Sequence, residues 1–152
     1  MKLRLRIPPL AVLGLAGALG WIAARMVPSL NFDFAGRAEL AVTLVMLGFT
    51  SCVLGVAAFR RARTTVNPLT PDAATARVVS GIYRVSRNPV YLGFLLLLLA
   101  EIVWLANPMA CLVAPLFVVY LNRFQISLEE IALRSLFGAQ FEAYALCVRR
   151  WI

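Results

Sequence analysis

Apolar residues run along this chain in long blocks separated by short polar segments, and the blocks set the first expectations. Pro8 to Val27 carries one charge, Arg25, near its end, and Ala38 to Phe59 carries one, Glu39, near its start. Pro89 to Ala106 is a third block with Glu101 inside it, and Met109 to Asn122 is a fourth, shorter one. A helix needs about 20 apolar residues to cross about 30 Å of hydrocarbon. The fourth block reaches that length if Arg123 extends toward the headgroups. The pattern predicts an all-α, polytopic membrane helical bundle of about four spans. Residues 1–152 then form a single integral-membrane domain, with two N-terminal spans in 1–59, a loop over 60–88, a helical hairpin over 89–124 and a tail helix over 125–152. A cleaved signal peptide is the rival for the first block, given its basic start and Ala23-Ala24. Three further spans and an even total favour a retained helix.

The tail has a different period. Ile126, Leu133, Phe137, Phe141, Tyr144 and Val148 recur at helical spacing, with Glu129, Glu130, Arg134, Glu142 and Arg149 between or beside them. This is an amphipathic, interfacial helix, with a bend expected at Gly138. Pro115 is expected to kink the fourth span. The 60–88 loop, with Pro68, Pro71 and the run Thr64-Thr65-Val66-Asn67, is too long for a simple connection and reads as functional.

Composition agrees with the blocks and charge orients them. The chain is 62% hydrophobic and 14% charged, against about 45–50% and about 25% in soluble domains. Of its 15 basic residues, all but Arg25 and Arg37 fall in the N-terminal tail, the 60–88 loop or the stretch after the fourth span. Asp33 and Glu39 balance those two. Both termini and the central loop are therefore expected on the cytoplasmic side of a bacterial-type inner membrane. The net charge of +8 is a topology signal; no long polar domain presents it to nucleic acid. The absence of histidine removes imidazole acid–base catalysis, Ser-His-Asp and Cys-His nucleophiles, and His-ligated metals. Cys52, Cys111 and Cys147 form no CxxC pair and suit small apolar positions.

Two segments hold most of the remaining chemistry. Gly81-Ile82-Tyr83-Arg84-Val85-Ser86-Arg87-Asn88-Pro89-Val90-Tyr91-Leu92-Gly93 crowds two arginines and two tyrosines at the mouth of a leucine-rich span. Positive-inside anchoring and an aromatic belt account for those four. They leave Gly81 and Gly93, which suit close backbone approach. Arg87 beside a helix start is a good anion receptor, while Asn88-Pro89 by itself is a good cap and first helical residue. The second segment is Asn122, Arg123, Glu129 and Glu130. Its adjacent carboxylates either serve the helix dipole and Arg134 or face a cationic ligand. Glu101, an acid within a span, is either a functional group or a structural hydrogen-bonding one.

Together the two segments resemble the integral-membrane methyltransferases, the group of isoprenylcysteine carboxyl methyltransferase and the phospholipid N-methyltransferases. GIYRVSRNPVYLG is similar to the family's Gly-x-Tyr-Arg-x-x-Arg-His-Pro-x-Tyr-x-Gly signature. EEIALRSLFGAQFEAYALCVRRWI is similar to its C-terminal double-glutamate pattern. The resemblance covers Thr64 to Ile152. It implies a helical enzyme using S-adenosylmethionine and a lipophilic acceptor, an isoprenylcysteine-like carboxylate or a phospholipid or other lipophile, drawn from the membrane lipids. Carried over by position, Tyr83, Arg87, Asn88, Tyr91, Gly93, Glu129 and Glu130 bind the cofactor. Arg123, Glu130 and Arg149 are the catalytic residues the resemblance implies, with Arg149 or Arg150 matching the family's terminal arginine. The departure is Asn88, where the signature has His; an amide cannot act as base or cation. A reductase of sterol-reductase type using NADPH and a non-enzymatic membrane scaffold or transporter component are the alternative readings.

Overall fold

The structure, a computed structural model, describes residues 7–61 and 79–152. Most of the 60–88 loop, including Pro68 and Pro71, lies outside the described residues. Every regular element among them is helical. Helix α1 runs from Pro9 to Met26 and α2 from Arg37 to Arg61. After a short 3₁₀ turn at Gly81–Arg84, α3 runs from Pro89 to Leu105. Then follow α4 (Pro108–Cys111), α5 (Val113–Leu121), a π-helical turn (Asn122–Ile126), α6 (Ser127–Phe137) and α7 (Ala139–Cys147).

Proline sets several of these boundaries. Pro9, Pro89 and Pro108 each occupy a helix's first turn, where the missing N–H costs nothing. Inside a helix the ring displaces the carbonyl four residues earlier. For Pro115 that carbonyl belongs to Cys111, where α4 ends. The expected kink therefore falls one turn before the proline that causes it.

Three helices are long and apolar enough to cross a membrane: α1, α2 and the continuous rod from Pro108 to Phe137. Their lipid-facing character shows in exposed Leu15, Leu19, Met46, Phe49, Leu116 and Val119, and the protein is an integral membrane protein. The expected order of lengths is reversed in the second half. The fourth block, read as the shortest, belongs to a rod of 30 residues, whereas α3 has only 17. The tail helix does not start afresh at residue 125 but continues that rod through the π turn.

The tail is also not one helix. Gly138, at φ +49°, breaks it into α6 and α7, because that backbone conformation is strained for any residue with a Cβ. The helical pattern then stops at Cys147, and Val148 is extended (φ −123°, ψ 130°). Tertiary partners take the backbone groups of the last residues: the Arg87 N–H donates to the Arg149 carbonyl at 3.0 Å.

Between the helices, α3 is the central element. Against α2 it makes a glycine-on-glycine seam. A Cβ on Gly48 would lie 2.9 Å from the Gly93 carbonyl, and one on Gly93 would lie 2.6 Å from the Gly48 carbonyl. Small residues let transmembrane helices approach this closely, and Ser51 Oγ donates to the Pro89 carbonyl across the seam at 2.6 Å. On its other side α3 joins α1 and α5 around Val12, Leu98, Ile102, Phe117 and Leu121. At the end away from Arg87, buried Asn107 accepts from the Met109 N–H at 2.9 Å. The same side chain donates to the Val27 carbonyl at 3.0 Å and to Asn31 Oδ1 at 2.6 Å.

Candidate functional site

The two sequence segments meet at the N-terminal end of α3. Pro89 starts that helix, so Arg87 and Asn88 sit just before it in non-helical backbone. The π turn and α6 bring Glu129 and Glu130 alongside. Glu130 is 5% exposed, and a carboxylate so buried must be paired. It is paired twice: Arg87 Nη1 lies 3.2 Å from Oε1, while Arg150 reaches Oε2 through Nη2 at 2.6 Å and Oε1 through Nε at 3.1 Å. The side-on, bidentate contact of Arg150 is the strong geometry for a guanidinium and a carboxylate.

Glu129 has a different environment. Its carboxylate accepts a short hydrogen bond from the Tyr91 phenol, and no salt bridge reaches it among the described residues. Of the two adjacent carboxylates, one is locked between cations and the other is paired only with a neutral donor. The sequence alone treats them as a unit; α-helical geometry separates them by about 100° of rotation.

Asn88 is not the cap that local sequence offers. It makes no cap bond to α3. Its Nδ2 donates instead to the Arg150 carbonyl at 2.8 Å, while its backbone N–H donates to the Oγ of fully buried Ser86 at 3.1 Å. The final residues thus form a strap across the front of α3. Trp151 Nε1 fixes its end by donating to Asn122 Oδ1 at 3.1 Å.

Behind the cluster, Tyr83 packs edge-on against Phe59 with ring centres 5.4 Å apart. Burial, with smaller contributions from Tyr144 and Glu129, pushes its phenol well above the usual tyrosine range. Its carbonyl accepts from Tyr144 Oη at 2.7 Å, which ties α7 to the signature segment.

Arg87, Asn88, Tyr91, Glu129, Glu130 and Arg150 are therefore brought together. Gly93 lies one turn along α3 and faces α2, as the close-approach reading of that glycine expects. The Arg123 side chain is exposed on the π turn, and Arg149 is exposed, its carbonyl accepting from the Arg87 N–H. Ser86 and Asn122 belong to the two segments the sequence singles out, whereas sequence reasoning did not reach Gln125. Gln125, 1% exposed, donates to the Ile7 carbonyl at 2.7 Å; a polar residue amid an apolar period is the signal that marks it.

Two buried polar atoms lack a partner among the described residues, Arg87 Nε and Gln125 Oε1. A guanidinium N–H left over beside an ion pair is a donor held ready for an anionic group.

Comparison with known proteins bears on the same residues. A family model described as phospholipid methyltransferase matches residues 37–140. Two proteins described as probable protein-S-isoprenylcysteine O-methyltransferase, from the indica and japonica subspecies of Oryza sativa, are each 31% identical over 109 residues. That match covers 70% of this chain and 56% of theirs, so the chain spans about half the length of these relatives. An uncharacterized protein of Haemophilus influenzae is 44% identical over 63 residues, 41% of this chain and 100% of its own. No solved structure matches.

Proposed function

The chain belongs to the phospholipid methyltransferase family, and on that premise we propose that it moves a methyl group from S-adenosylmethionine to a lipophilic acceptor at the N-terminal end of α3. The observation that carries this reading is the convergence of Arg87, Glu129, Glu130 and Arg150 at the edge of an apolar bundle. A charged cofactor and a greasy acceptor can meet at such an edge.

The residues present fit the cofactor. Arg87 Nε is a buried donor with nothing to donate to among the described residues, suited to the carboxylate of an amino-acid end. Glu129, without a salt bridge among the described residues, is an acceptor for an ammonium or a ribose hydroxyl. Glu130 holds Arg87 and Arg150 in place, so that their charge is positioned before a ligand arrives. S-adenosylmethionine supplies an electrophilic methyl on sulfonium. Because the displacement is in line, positioning by these side chains supplies much of the acceleration.

The acceptor best suited to a site without histidine is a carboxylate of the isoprenylcysteine kind, which is already ionised and needs no base. An exposed arginine, Arg123 or Arg149, orients it from the rim. A phospholipid amine needs a proton acceptor, and Glu129 is the group placed for it. Labelled methyl transfer by the full chain in nanodiscs distinguishes the two: label is expected in an S-prenylcysteine analogue rather than in extracted phospholipid. Saturable cofactor binding is expected as well, weakened by Arg87→Ala and by Glu129→Ala. Binding that is absent, or unchanged in both variants, removes the proposal.

A further inference from the structure

The seam between α1 and α3 is incomplete. An open notch of about 360 Å³ remains there, lined by Leu13, Gly14 and Gly17 of α1 and by Leu97, Leu98 and Glu101 of α3. Its walls are apolar apart from the Glu101 carboxylate, which has no hydrogen bond or salt bridge with any described residue. Gly17 makes the placement possible, since a Cβ there would lie 2.5 Å from Glu101 Oε2.

Depth narrows what can bind. Trp104, three residues further along α3, has the Arg37 guanidinium 5.5 Å from its ring centre. Tryptophan and arginine at helix ends mark the headgroup level. Glu101 lies about 4.5 Å inward of Trp104 and about 18 Å along α3 from Pro89. It belongs to the leaflet opposite the Arg87–Glu130 end, with Leu97, Leu98, Leu13 and Gly14 running deeper.

A carboxylate at this depth is costly without a partner, and the notch walls offer no donor. A second copy does not supply one either. A two-fold contact centred on Glu101 sets carboxylate against carboxylate.

We propose that the notch is a lipid-binding site, separate from the methyl-transfer site, for an amphiphile with a protonated amine head. The ammonium pairs with Glu101 and the hydrocarbon chain lies along Leu97, Leu98 and Leu13. Two sources offer that chemistry, a phospholipid with a primary-amine headgroup and a free long-chain amine.

The test uses the full chain in phosphatidylcholine nanodiscs. Phosphatidylethanolamine with brominated acyl chains is compared with brominated phosphatidylcholine as a quencher of tryptophan fluorescence. Trp21 and Trp104 are exposed on the two helices that flank the notch. The amine-headed lipid is expected to quench with about tenfold higher apparent affinity, from an ion-paired hydrogen bond in the membrane. Glu101→Gln, of equal size, is expected to abolish the preference. Competition by unlabelled hexadecylamine at a lower mole fraction than unlabelled phosphatidylethanolamine identifies a free amine as the ligand; the reverse identifies the phospholipid. Equal quenching by the two lipids, or a preference that survives Glu101→Gln, overturns the proposal. Gly14→Leu is the second variant. A Cβ at Gly14 meets nothing within 4 Å, so the leucine fills the notch without displacing backbone and is expected to weaken amine-lipid quenching about tenfold. Unchanged quenching there overturns the proposal even if Glu101→Gln fails to fold.

Discussion

Asn88-Pro89 and Asn107-Pro108 start two helices with the same dipeptide, and the two asparagines are used in different ways. Asn107 caps its own helix and gives its amide to the Val27 carbonyl and Asn31, a neutral knot around one buried side chain. Asn88 leaves its helix uncapped and gives its amide to a carbonyl 62 residues away in sequence. Pro supplies the same helix start in both places. What differs is the neighbourhood: one end is closed by neutral groups at the end of α1 and just after it, the other is an ionic cluster with a strap laid over it. The difference teaches that a dipeptide fixes where a helix begins, while tertiary partners decide what the side chain beside it does.

That contrast can be broken most severely at the ionic end. Glu130→Ala strands Arg87 and Arg150 as unpaired cations and is expected to cost about 3–5 kcal/mol, read by denaturant unfolding in mixed micelles, with cofactor binding lost as well. Asn107→Ala comes next. It removes a cap and leaves buried polar groups unpaired, at about 1–3 kcal/mol, yet cofactor affinity measured on the folded fraction should stay within about twofold of the parent, a margin under 0.5 kcal/mol. A fall as large as that of Glu130→Ala would mean the two ends are not separate. Asn88→Ala is expected to cost only about 0.5–1.5 kcal/mol in stability. Its signature is faster amide exchange in residues 148–152, as the strap loosens. The smallest effect belongs to Arg134→Ala, whose 2.7 Å pair with Glu142 is about half exposed on both sides. Unfolding should shift by at most about 1 kcal/mol.

Much of this was legible in the chain. Long apolar blocks locate the helices because hydrocarbon allows few alternatives, and prolines mark their starts. The signature and double-glutamate segments announce a shared site because nothing else in the sequence combines so many polar groups next to a span. The division of labour between Glu129 and Glu130 was not legible, since it depends on which face of α6 meets Arg87. Arg149 and Arg150 drew attention through their charge, yet backbone carbonyls do half of the strap's work, and every residue type carries a carbonyl. Arg123, equally charged, stays exposed on the π turn.

The π turn has a consequence for phase. Along the rod from α5 into α6 the buried residues Val113, Phe117 and Leu121 recur every fourth position, and after the wide turn the row resumes at Ile126 and Glu130. At α-helical spacing the same step would run from Leu121 through Gln125 to Glu129. The wide turn therefore selects which of two identical side chains enters the arginine clamp and which is left beside Tyr91. Deleting exposed Phe124 would take out the extra position and keep Ile126 and Glu130 in the row. Closing the turn to α-helical spacing at unchanged length would instead exchange the two glutamates, so chemistry here follows helical phase.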